Sequence, residues 1–242
     1  MGRLTVSAVP VLNDNYVWLI RDPNSGETAA VDPSVADPVL AAAEAEGLRI
    51  TQVLNTHWHP DHTGGNDAIR DATGCKITGP VEAERVSKMD RIVAEGDRVT
   101  VAGSEAIVWD IPAHTAGHIA YYFEDDGMIF VGDTMFAMGC GRLFEGTAEQ
   151  MYANMQRIAG LPDDVRIYCG HEYTLANARF AHHVDPQNRA VGERLERAAT
   201  LREEGRITLP TTVAEERATN PFVRASDAQE FARLRAEKDS FR

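Results

Sequence analysis

Cysteine is scarce in this chain: Cys75, Cys140 and Cys169 are the only three among 242 residues. None stands at CxxC spacing, and an odd number excludes a disulfide framework, so each is expected to be a free, packed thiol. Long apolar runs are missing as well. No stretch of about 18 hydrophobic residues occurs, which excludes a membrane-spanning helix. The opening Met1-Gly2-Arg3-Leu4-Thr5 leads directly into strand-like sequence without a signal-peptide apolar region, so a cytoplasmic protein is the expectation. Positive charge is in deficit: 24 Lys+Arg face 37 Asp+Glu, a net −13. That balance weighs against nonspecific nucleic-acid binding. There is no repeat of fixed period and no low-complexity segment.

What is present describes a globular, core-forming chain, 43% hydrophobic and 25% charged. Its length suits one large α/β domain, or a medium domain with a small appendage. Strands are expected at Asn15–Arg21, Thr28–Val31, Ile50–Leu54, Lys76–Thr78, Arg98–Val101, Ala106–Ile111, Ile119–Phe123, Met128–Val131 and Val165–Cys169. Helices are expected from Asp37-Pro38 to Glu46, over Asn66–Ala72 and over Thr147–Ala159. From Tyr173 onward the apolar spacing is helical, over Leu175–His183, Asn188–Glu204 and Ser226–Lys238, with little that looks like strand. Charge changes at the same place. Residues 1–172 hold 12 Lys+Arg and 26 Asp+Glu, net −14, whereas residues 173–242 hold 12 and 11, net +1. The expected division is therefore a domain of residues 1–172 followed by a helical one of residues 173–242, whose cations suit an anionic ligand or simply a solvated helical surface.

Thr56-His57-Trp58-His59-Pro60-Asp61-His62 places three imidazoles and a carboxylate within six residues, directly after the expected strand 50–54. Three further polar positions each follow an expected strand: His114 in Pro112–His118, Asp133 in Gly132-Asp133-Thr134, and His171 in Gly170-His171-Glu172. Strand ends on one sheet edge converge, so these residues can meet in one cleft. A lone buried histidine is usually a hydrogen-bonded core residue, but six of the eight histidines fall in these segments. Imidazole and carboxylate are the donors expected for Zn²⁺, Fe²⁺ or Mn²⁺. One metal would take His57, His59 and His114. A second would take Asp61, His62 and His171, with Asp133 giving an oxygen to each. Water held between two such ions would titrate near neutrality and supply a nucleophile. His118 is left as an orienting or packing residue, and His182 and His183 as ordinary surface or packing positions.

With Thr-His-x-His-x-Asp-His at 56–62 and the later His, Asp and His in order, the chain resembles the metallo-β-lactamase superfamily. The resemblance implies an αββα sandwich of α+β class. Gly139-Cys140-Gly141-Arg142-Leu143-Phe144-Glu145-Gly146-Thr147, Gly170-His171-Glu172-Tyr173-Thr174, Asn220-Pro221-Phe222-Val223-Arg224 and Arg235-x-x-Lys238-Asp239-x-Phe241 look like one branch of it, the hydroxyacylglutathione hydrolases or glyoxalases II. That branch implies hydrolysis of S-(R)-lactoylglutathione and related 2-hydroxyacyl thioesters by a hydroxide held on two divalent metals, zinc foremost. Asp61 and Asp133 are then the catalytic carboxylates. Arg142, Phe144, Tyr173, Arg235 and Lys238 match the branch's glutathione-contact positions. Phe144 stands where some members have tyrosine and cannot donate a hydroxyl hydrogen bond. The expected partner is the glutathione thioester alone, with no nucleic acid and no membrane, and the expected state is a monomer. The alternatives are a persulfide dioxygenase, another hydrolase of the same fold, or a metal- or glutathione-binding protein without turnover.

Overall fold

A computed structural model describes residues 4–241. The chain forms two compact units, one built from the residues up to Asp110 with Gly117–Gly132, the other from Ile111–Ala116 with the residues from Asp133 on.

The first unit starts from strands rich in β-branched and aromatic residues. Strand β1 (Thr5–Val11) pairs antiparallel with β2 (Asn15–Arg21), in register from Thr5↔Arg21 to Val11↔Asn15. β3 (Glu27–Val31) continues antiparallel to β2. Helix α1 (Asp37–Ala45), with its proline in the first turn, then crosses to β4 (Arg49–Leu54), which runs parallel to β3. A one-turn helix α2 (Pro60–Thr63) and α3 (Asn66–Thr73) lead to β5 (Lys76–Gly79), parallel to β4, and β6 (Arg91–Ile92) closes the six-stranded sheet. Val39 and Ala43 of α1 and Ile69 of α3 pack on Val17, Leu19, Val53 and Ile77 of this sheet, so the crossovers supply a helical layer.

An antiparallel run follows: β7 (Arg98–Val101), β8 (Ser104–Asp110), β9 (Ile119–Phe123) and β10 (Met128–Gly132), in spatial order β10-β9-β8-β7. β9 and β10 are buried on both faces. The Tyr121 phenol ties the sheets together by donating to the backbone oxygens of Asn55 (2.9 Å) and Thr78 (3.3 Å). Burial pushes that phenol's pKa well up, so it stays a donor.

The second unit opens on a short hairpin, β11 (Met135–Phe136) and β12 (Gly139–Cys140). Helix α4 (Ala148–Ala159) is preceded by a capping box: Thr147 Oγ1 accepts from Gln150 N, and Gln150 Oε1 accepts from Thr147 N. β13 (Arg166–Cys169) leads into α5 (Thr174–Val184) and α6 (Arg189–Glu203). β14 (Thr211–Thr212) pairs with β13, and α7 (Val213–Thr219) and α8 (Ala228–Ser240) complete the unit. Phe180, Phe222 and Phe231 are fully buried; the Phe222 ring stacks on Phe180 at 6.0 Å and meets Phe231 tilted at 5.4 Å.

The expected strands and helices all form, most within two residues of their predicted bounds. Elements without predicted bounds are β1, expected only as strand-like sequence after Thr5, and α2, β6, the β11–β12 hairpin, β14 and α7; all but β1 and α7 are four residues or fewer, too few for a periodicity to show. All three cysteines are free and buried. No helix among the described residues is long and apolar enough to cross a membrane. Removing the cap of α4 with Thr147→Ala should lower the unfolding free energy by about 1 kcal/mol. Urea denaturation should show the midpoint falling while the m-value stays unchanged.

Candidate metal centre

In the first unit the parallel strands β3 and β4 end side by side, and each end contributes to one buried cluster. Asp32 follows β3 with φ +52°. Its Oδ1 accepts from Thr56 N (2.8 Å) and its Oδ2 from Thr56 Oγ1 (2.7 Å). Oδ2 also lies 3.2 Å from His62 Nδ1. Donor atoms of Asp32, His57 and His62 all lie within 4.8 Å of one another. Both Asp32 oxygens are occupied, so this carboxylate orients rather than ligates. By accepting at Nδ1 it leaves the His62 Nε2 lone pair facing outward, 3.7 Å from Asp61 Oδ2.

His57 is fixed in the same way. Its Nδ1 meets Thr56 Oγ1 at 3.0 Å, and the fully buried His118 stacks on its ring at 4.5 Å and 16°. His118 Nδ1 donates to Ile119 O (3.1 Å), so it packs behind His57, the role left open for it by the sequence. His57 Nε2 then lies 3.1 Å from His59 Nδ1. The turn itself is pinned. Asn15 Nδ2 donates to Asp61 O (3.1 Å) and Asp61 Oδ2 (3.2 Å), Ser34 Oγ donates to Asp61 O, and Asn55 Nδ2 donates to His62 O (3.0 Å).

In the second unit the buried Asp133 carboxylate lies between two imidazoles. Its Oδ2 is 3.5 Å from His114 Nε2 and 3.2 Å from His171 Nε2. His114 Nδ1 donates to Arg142 O (2.9 Å), which leaves Nε2 with its lone pair toward Asp133.

Two donors ~2.0–2.1 Å from a tetrahedral zinc stand ~3.3 Å apart. The spacing of 3.1 Å in the first unit, and those of 3.2 and 3.5 Å in the second, each suit two donors on one divalent cation. The donor chemistry fits too: all nitrogen and carboxylate oxygen, no thiolate. Burial raises the Cys140 pKa to about 11 and raises that of Cys169 further, so neither thiol is disposed to ionise as a ligand.

The residues expected to meet substrate lie in the second unit, and two of them flank its imidazoles. Phe144 is 59% exposed and packs edge-on to His114 at 5.2 Å. Tyr173 stacks on His171 at 4.7 Å and 6°. Arg142 is exposed, with Nε 3.7 Å from Asp239 Oδ1. Lys238 donates to Ala176 O (3.2 Å) and lies over Phe180 and Phe241, where burial and the neighbouring Arg235 hold its pKa down. Arg235 differs from these. It is only 7% exposed, donates to Cys140 O (2.8 Å) and Asp239 Oδ1 (2.9 Å), and lies over the Phe222 ring. His182 and His183 are exposed, and His183 meets Glu237 at 3.2 Å.

Asp32 was not among the expected site residues, because Asp32-Pro33 reads as a turn. The available signal was an acidic residue ending a strand next to the one that delivers the histidines.

Residues 12–171 match the metallo-beta-lactamase superfamily, and residues 172–241 match the hydroxyacylglutathione hydrolase C-terminus. A hydroxyacylglutathione hydrolase of Methylococcus capsulatus is 46% identical, with 99% of each chain covered. One of Erythrobacter litoralis is 47% identical, covering 98% of this chain and all of its own. Among solved structures, ETHE1 from Myxococcus xanthus superposes with a TM-score of 0.75 at 27% identity, over 98% of this chain and 92% of its own. TTHA1623, solved in a di-iron-bound form, shares the fold with a TM-score of 0.64 at 21% identity, over 90% of this chain and 99% of its own.

Asp32→Ala should weaken divalent-metal binding roughly 10–100-fold, the usual effect of deleting a partner behind a ligating histidine. The check is metal per chain after dialysis against graded chelator. A D32A chain that holds metal as tightly as its parent contradicts the orienting role.

Proposed function

Because this chain belongs to the metallo-β-lactamase superfamily and, within it, to the hydroxyacylglutathione hydrolases, we propose that it hydrolyses S-(2-hydroxyacyl)glutathione, typically S-(R)-lactoylglutathione, to glutathione and the 2-hydroxy acid. The observation that carries this is the company kept by the His114–Asp133–His171 triplet. Its two imidazoles are flanked by Phe144 and Tyr173, and the same unit supplies Arg142 and Lys238.

His57, His59 and His114 would hold one divalent cation, and Asp61, His62 and His171 a second, with Asp133 shared between them. Zinc is the metal of choice for these donors, with iron and manganese as competitors. Two such cations supply Lewis acidity and bring the pKa of the water they hold toward neutrality. The chain's residues do the rest. Asp32 and the Arg142 carbonyl fix the tautomers of His62 and His114. Arg142 and Lys238 offer positive charge to the two carboxylates of glutathione, which an acidic protein would otherwise repel. Phe144 and Tyr173 offer flat apolar surface on either side of the thioester. The leaving thiolate is stable enough to depart without a strong general acid.

The division of labour we propose has residues 1–172 and 173–242 as metal-binding and glutathione-binding segments, with one chain as the working unit. A cytoplasmic setting, where glutathione is kept reduced, suits both the substrate and three free thiols.

The test is thiol release from S-lactoylglutathione by the metal-loaded chain. Many turnovers per chain are expected, and they should stop when metal is removed and resume when it is restored. Metal-loaded chain that binds glutathione thioester without releasing thiol contradicts the proposal, and oxygen uptake without hydrolysis points to the dioxygenase chemistry of the same fold.

A further inference from the structure

Between Asp133 and Arg142 the chain makes the β11–β12 hairpin, and each residue from Phe136 to Cys140 has a backbone group held by a side chain from the helical segment. Asn220 Nδ2 donates to Phe136 O (3.3 Å) and Gly139 O (3.0 Å). Asn177 Nδ2 donates to Ala137 O (3.1 Å). Glu216 Oε2 accepts from Met138 N (2.9 Å), and Arg235 Nη1 donates to Cys140 O (2.8 Å).

These anchors are fixed in turn. Glu216 is fully buried. Its Oε1 accepts from Arg194 Nη2 (2.7 Å) and Thr211 Oγ1 (2.6 Å), and its Oε2 accepts from Asn220 Nδ2 (2.8 Å). Asn220 Oδ1 accepts from Phe222 N (3.0 Å). A buried carboxylate with a guanidinium, a hydroxyl, an amide and a backbone N–H around it is a rigid fixture, because losing any partner leaves a desolvated group behind.

The hairpin requires such holding. Met138 has φ +57°, a conformation costly for a residue with a Cβ. A Cβ on Gly139 would lie 2.3 Å from Asn177 Nδ2, and one on Gly141 would lie 1.9 Å from Asp133 O. The hairpin's exit bears on the site: Gly141 N donates to Thr134 O (3.1 Å), and the next carbonyl, Arg142 O, is the acceptor that sets the His114 tautomer at 2.9 Å.

We infer that Asn220, Glu216 and Asn177 are positioning residues for the His114–Asp133 pair. They act through the hairpin, so the helical segment builds half of the metal site in addition to any part it plays in holding glutathione. Arg235 belongs to the same fixture through Cys140 O. The inference rests on the proposed function insofar as His114 and Asp133 are metal ligands.

The experiment titrates the metal-free full chain with Zn²⁺ in competition with a chromophoric chelator, and measures KM and kcat for S-lactoylglutathione on the same preparations. Asn220→Ala should weaken zinc binding about tenfold, as losses behind a ligand do, and lower kcat at limiting zinc, with KM little changed. Lys238→Ala, as the contrast, should raise KM and leave zinc affinity as in the parent. A folded N220A chain with parental zinc affinity overturns the inference, as does one whose only change is a raised KM. If N220A does not fold by circular dichroism, Asn177→Ser removes only the bond to Ala137 O. It should then show a smaller loss of zinc affinity, and parental affinity in folded N177S overturns the inference. A parent chain that binds no zinc overturns this inference and the proposed function together. A parent that binds zinc and turns over thioester while the variants match it overturns the inference alone.

Discussion

A buried carboxylate between two imidazoles is the constraint on which the second unit's architecture turns. Asp133 has lost its hydration, and an ionised carboxylate cannot remain so without compensation. His114 and His171 present Nε2 atoms to it at spacings that suit a divalent cation, which would supply that compensation. Under that reading the surrounding contacts have a common purpose: four of the five candidate rings, His59 aside, are held by their other nitrogen or by a stacked neighbour, so their donor atoms are fixed before a metal arrives. Asp32 does this for His62, Thr56 and His118 for His57, the Arg142 carbonyl for His114 and Tyr173 for His171.

Much of this was legible in the sequence, for a physical reason. The donors sit at the ends of strands, and strand ends are marked by a short apolar run stopping at a polar residue. Ile50–Leu54 before His57, Met128–Val131 before Asp133 and Val165–Cys169 before His171 all show that pattern. Asp32 shows it too, at the end of Thr28–Val31, but a following proline masked it as a turn. The supports were not legible. Asn220 lies 84 residues from Phe136 and Glu216 lies 78 from Met138, and no periodicity or spacing rule connects an amide side chain to a carbonyl at such distance. Two-residue strands such as those of the hairpin were equally invisible, since one alternation is no pattern.

Of the cations expected from the branch's motifs to meet glutathione, Arg235 is the one whose partners within the chain are most fully defined. Its charge, in a near-neutral tail on an acidic protein, suggests an anion contact. The folded chain spends that guanidinium on a backbone carbonyl, a neighbouring aspartate and an aromatic face, while Arg142 and Lys238 keep more of their reach. The second unit therefore combines two kinds of cation. One kind, buried with its partners, fixes the hairpin; the other, Arg142 and Lys238, is less buried. Phe144, 59% exposed, packs against His114, and Tyr173 stacks on His171, so both rings flank the imidazoles of this unit.

A pair of cations held only by nitrogen and oxygen is what the proposed chemistry requires. X-ray absorption at the metal edge of the zinc-loaded chain reads both features at once. A first shell of nitrogen and oxygen at ~2.0–2.2 Å and a metal–metal vector of ~3.5–4 Å are expected. A sulfur shell at ~2.3 Å, or a single metal with no heavy neighbour, would contradict that expectation.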